Sequence, residues 1–165
     1  MATRLSENSI TGDLLVFDDI IQHAYRGYES MDPVSLLREM VNDGVLQIET
    51  LFEKSISMAG NLERESTEGR DFVDGSDAKK CTVQWCHEVG VKSRRVAAVT
   101  NIVGKHGILR VIVAETLTGK TYYFKIPKHA YQGLTTVRIY FNEDGTPKNG
   151  KWFDYECEEF EELCN

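Results

Sequence analysis

Gly69-Arg70-Asp71-Phe72-Val73-Asp74-Gly75-Ser76-Asp77-Ala78-Lys79-Lys80-Cys81-Thr82-Val83-Gln84-Trp85 is the stretch from which the rest of the chain is read. Asp74-Gly75 signals a tight turn, because a two-residue hairpin loop needs positive φ and glycine adopts it without steric cost. Asp71 to Val73 then runs into the turn, and Asp77 to Trp85 leaves it as a strand. Side chains alternate across a strand, so Asp77, Lys79, Cys81, Val83 and Trp85 share one face. That face begins ionic and ends apolar.

A hairpin brings Asp71 and Asp77 together, with Lys79 two residues beyond the second acid. Paired carboxylates repel unless a cation sits between them, and Mg²⁺ is held by one or two carboxylates plus water and phosphate oxygens. A lysine beside such an ion can orient or deprotonate water and offset charge developing on phosphorus. These residue types are the ones that metal-assisted phosphodiester hydrolysis needs.

Asp71, a short turn and then Asp77-Ala78-Lys79 resemble the PD-(D/E)XK motif of restriction-endonuclease-like nucleases. The resemblance covers the hairpin and its α/β surroundings. It implies that Asp71 and Asp77 are ligands of Mg²⁺ or Mn²⁺, that Lys79 is the catalytic lysine, and that the substrate is DNA. Asp74 replaces Asp71 if the turn is placed differently, although Asp74-Gly75 is better explained as the turn itself. These nucleases often add an acid from a helix before the motif, which makes Glu53 or Glu49 a candidate third carboxylate. Many of them cut both strands as two-fold dimers, so a homodimer is also implied.

The chain has 165 residues, 41% of them hydrophobic and 27% charged, the composition of a globular domain with a real core. No stretch approaches the roughly 18 apolar residues of a membrane span, so no membrane partner is expected. Residues 1–7 lack the apolar run of a signal peptide. An intracellular protein is therefore expected, in the cytoplasm or in the nucleus of a eukaryotic host. Cys81, Cys86, Cys157 and Cys164 fall at C-x4-C and C-x6-C, not the C-x2-C of most structural zinc sites. They read as reduced, partly buried thiols.

Net charge is −7, but it is unevenly spread. Residues 1–78 hold 16 acids and 6 bases, residues 79–151 hold 4 acids and 13 bases, and residues 152–165 hold 6 acids and no base. A phosphate backbone responds to the local field, so a basic middle can bind nucleic acid within an acidic protein. Arg94, Arg95, Lys125 and Lys128 are its candidate phosphate contacts, with His129 beside Tyr131 adding a cation interleaved with an aromatic ring. Lysines that merely keep strand edges soluble give the same pattern.

Working outward, residues 1–12 read as a loose arm. Leu14, Leu15, Phe17, Ile20, Ile21 and Ala24 fit a short amphipathic helix ending near Gly27. Asp32 and Pro33 start a second helix, and Val45, Ile48, Leu51, Phe52 and Ile56 continue at helical spacing to about Met58. Residues 59–70 are polar and read as a loop. Strands follow over 95–103, 108–115 and 120–126, with a turn at Gly104-Lys105-His106-Gly107 and a short helical turn at 128–133. The strand at 108–115 is apolar on both faces and should lie centrally. A further strand at 135–141, a turn at 142–147, a short strand at 150–155 and an acidic helix over 156–163 complete the chain. The fold expected is α/β of the α+β kind: one domain over 1–165 with a mixed, largely antiparallel central sheet flanked by helices, restriction-endonuclease-like. Two other functions fit the same charges: a non-catalytic nucleic-acid-binding or regulatory protein, and an acidic interaction protein or inhibitor that uses the two ends.

Overall fold

The computed structural model describes residues 18–64, 71–102 and 107–165. The arm at 1–12, the start of the first helix, most of the polar loop before Asp71 and the turn at 104–106 lie outside them. The chain divides into two compact units, 1–47 and 48–165. In the first, α1 (Asp18–Arg26) is followed by α2 (Pro33–Asn42). The Asp32 carboxylate accepts from the amides of Val34 and Ser35 and Pro33 opens the helix, as the capping residues predicted.

The second unit is mixed α+β with mostly antiparallel sheet flanked by helices. It begins with α3 (Ile48–Gly60) and continues through β1 (Asp77–Thr82), β2 (Gln84–Cys86), β3 (Arg94–Val99), β4 (Leu109–Glu115) and β5 (Lys120–Ile126). Then come α4 (Lys128–Tyr131), β6 (Val137–Phe141), a 3-10 helix (Lys151–Tyr155), β7 (Glu156–Cys157) and α5 (Phe160–Cys164). In place of one central sheet there are two: four strands in the order β1-β4-β5-β7, and three in the order β2-β3-β6. β1 runs parallel to β4, and the other pairings are antiparallel.

Alternation along the strands fills two apolar clusters. Leu109, Val111, Val113, Phe124 and Ile126 of the four-stranded sheet share one with Ala97, Val99, Val137, Ile139 and Phe141 of the three-stranded sheet. The opposite face of the four-stranded sheet offers Ala78, Ile112 and Tyr123 to Phe52 and Ile56 of α3 and Leu163 and Cys164 of α5. β4 is thus covered on both faces, as its two-sided apolar pattern required.

Three local expectations are corrected. The Asp74-Gly75 turn exists, with Gly75 at φ +90° and its amide on Phe72 O at 2.9 Å. The strand leaving it, however, pairs with β4 in parallel and not back across the turn, where Phe72 instead bridges Arg64. Residues 150–155 wind into the 3-10 helix, because Trp152 and Phe153 both reach the inter-sheet core from it. The predicted terminal helix starts only at Phe160, since Glu156 and Cys157 are taken as an edge strand by β5.

Candidate functional site

β1 delivers its first residues to the sheet end with opposite neighbours on opposite faces. Cys81 packs into the inter-sheet core and Ala78 into the helix-side cluster. Asp77 and Lys79 therefore look toward the second sheet, and Lys80 looks toward α3. The Asp77 residue is 2% exposed, and its Oδ2 lies 4.0 Å from Lys79 Nζ. A carboxylate so withdrawn from water is costly unless charge or hydrogen bonds compensate it.

Asp71 reaches the same point along the strand edge. The amide of Asp77 donates to Ile108 O across the sheet, so the next amide, that of Ala78, faces the other way. Asp71 Oδ2 accepts from it at 3.0 Å, which lays the carboxylate against the Asp77–Ala78 peptide. Asp74 is spent on the turn: its Oδ1 accepts from the Ser76 amide at 2.9 Å and the Ser76 hydroxyl at 2.5 Å. Asp74 is thus tied to the turn, while Asp71 lies beside Asp77. The Asp77–Ser76 corner also leaves no room beyond it. A Cβ on Gly107 would stand 2.7 Å from Ser76 N, so only glycine lets the chain before β4 approach this closely.

Of the two helix acids, Glu53 belongs to this neighbourhood. Burial first, and then the charge of Asp71, raise its pKa, against the lowering effect of Arg64, whose Nη2 lies 3.1 Å from Glu53 Oε1. Glu49 instead pairs with Lys80 at 4.0 Å. The acids thus approach the start of β1 from three directions: Asp77 from the inter-sheet side, Asp71 along the edge and Glu53 from α3. Among the described residues no group of three or more His, Cys, Asp or Glu is arranged to hold a metal ion. The residue directly before Asp71 is Arg70, not a proline.

Sequence reasoning missed Tyr131. It is buried in the inter-sheet core, donates its hydroxyl to Gly107 O at 2.6 Å, and has its pKa raised by burial and then by the charge of Asp77. In the sequence it reads only as the aromatic ring interleaved with Lys128 and His129, and no spacing links it to Asp77.

The expected phosphate contacts separate. Arg95 is 3% exposed and ion-paired with the buried Glu115, so it is a structural residue and leaves the set. Its neighbour Arg94 points to the opposite face, 3.7 Å from Glu88 and over the ring of Tyr140. Lys128 and His129 are exposed on α4, the helix that carries Tyr131, while Lys125 is half-buried on β5 beside Cys157. Burial also pushes the Cys81 thiol up to about 11, so this neighbour of Lys79 on the strand face is a poor nucleophile at neutral pH. No helix among the described residues is long and apolar enough to cross a membrane. No protein-family model, curated protein or solved structure matches the chain.

Proposed function

We propose that the protein is a Mg²⁺-dependent nuclease that hydrolyses DNA phosphodiester bonds, in the manner of the restriction-endonuclease-like enzymes. The observation that carries this reading is the withdrawal of Asp77 from water beside Lys79, with Asp71 fixed against the same peptide. Two hard oxygen donors fit Mg²⁺, which completes its shell with water and phosphate oxygens. Burial, and after it the charge of Asp71, raise the Glu53 pKa, so the Asp71 and Glu53 carboxylates are close enough to influence each other.

Asp77 and Asp71 would hold the ion, Asp71 being fixed in place by its hydrogen bond from the Ala78 amide. Glu53 stays with Arg64 and supports the negative field behind Asp71. Bound there, Mg²⁺ supplies Lewis-acid polarisation of the phosphate and a more acidic water. Lys79, its side chain 29% exposed, orients the attacking water and offsets charge on the phosphoryl oxygens. Lys128 and His129 stand ready for the flanking phosphates from the exposed side of α4.

Metal binding and cleavage separate the roles. Mg²⁺ should raise the melting temperature of the wild type, since a ligand that binds only the folded state stabilises it. Asp71→Asn preserves an acceptor for the Ala78 amide but should lose both the Mg²⁺ shift and plasmid cleavage. Lys79→Met should keep the shift and lose cleavage. Wild-type protein that neither gains stability from Mg²⁺ nor cuts DNA would overturn the proposal.

A further inference from the structure

The alternation of β3 and β6 builds a second surface, remote in orientation from Asp77. Ala97, Val99, Val137, Ile139 and Phe141 turn into the inter-sheet core, so Arg94, Ala98, Arg138 and Tyr140 turn away from it. The Arg94 guanidinium carbon stands 5.1 Å from the centroid of the Tyr140 ring. Two shallow clefts of about 120 and 140 Å³ open here and share Arg94, Tyr140 and Lys148. Arg138 and Asn149 line the first, Lys92 and Asn142 the second. The nearby carboxylates, Glu88 beside Arg94 and Glu143 in the second cleft, leave the cations in excess.

We propose that this outer face binds single-stranded nucleic acid, with phosphates held by Lys92, Arg138 and Lys148 and a base stacked against the Arg94–Tyr140 pair. Cations track a phosphate backbone, and rings capped by cations form platforms on which unpaired bases stack irrespective of sequence. Duplex bases are already stacked and cannot use such platforms. Each cleft has the volume of about four or five waters, the scale of a phosphate or a single ring and not of a double helix. An acidic polypeptide would satisfy the cations but leave the Arg94–Tyr140 pair without a partner. The surface is independent of the nuclease reading, because Asp77 and Lys79 face the opposite side of the second sheet.

Fluorescence anisotropy of a labelled oligothymidylate against the full chain, in EDTA so that nothing is cut, tests it. Binding should weaken with salt, and Arg138→Glu/Lys148→Glu should weaken it about tenfold or more. The double variant's log–log salt slope should be shallower by about 1.4, from about 0.7 per phosphate contact on a single strand. Both residues are exposed, and where charge reversal lowers the melting temperature the Arg138→Gln/Lys148→Gln pair should shift affinity in the same direction. Unchanged affinity in both double variants would overturn the proposal. So would equal or tighter binding of the matching duplex, or displacement by polyglutamate at equal charge.

Discussion

Glu53 shows how one side chain reports on the charge around it. Its pKa is raised, so the folded chain holds its proton more tightly than the unfolded chain does. Between the two values the folded state carries more protons, and stability falls as pH rises through that window. Glu53→Gln, which still offers Arg64 an acceptor, should remove this contribution. The difference in melting temperature, variant minus wild type, should grow from acid toward neutral pH, and a constant difference would contradict the assignment. The spacing Asp71, Asp77, Lys79 is read directly from the sequence, and the structure brings Asp71 against the Asp77–Ala78 peptide. Which of Glu49 and Glu53 faces Asp71 was not legible in the sequence, because both lie on one margin of α3 and only the docking of Lys80 against Glu49 distinguishes them.

At the scale of an element, β3 is decided by which arginine goes inward. Arg94 and Arg95 are equivalent in sequence, yet Arg95 is paired with Glu115 out of water and Arg94 is half exposed beside Glu88. Arg95→Met strands a buried carboxylate and should cost about 3–5 kcal/mol of stability. Arg94→Met should stay within about 0.5 kcal/mol of the wild type in the same urea titration. Equal losses at the two positions would show that the register of β3 is wrong. Most elements could be read from periodicity and caps: Asp32-Pro33 for α2, the two-sided apolar run for β4, Pro127 for the end of β5. Periodicity failed where tertiary contacts decide. The aromatic pair Trp152-Phe153 reads as strand but reaches the core from a 3-10 helix, and Glu156-Cys157 reads as helix but is recruited by the edge of β5. The partner of β1 was illegible for a related reason. A turn signal suggests an antiparallel neighbour, whereas parallel pairing with β4 is a long-range choice that leaves no local mark.

At the scale of the whole molecule, the charge is unevenly placed. Eight acids lie in residues 1–47 and six in residues 152–165, while the basic middle supplies the strands, whose outward cations form the face of β3 and β6. A protein with net charge −7 can in this way carry a locally positive surface. The most direct measurement of the central claim is the rate at which the intact chain relaxes supercoiled plasmid in Mg²⁺, beside Asp77→Asn, which keeps the size of the buried side chain. Cleavage by the wild type that stops in EDTA and falls by about 10²-fold or more in a variant of unchanged melting temperature is the predicted result. Equal rates for the two proteins, or cleavage that persists in EDTA, would contradict it.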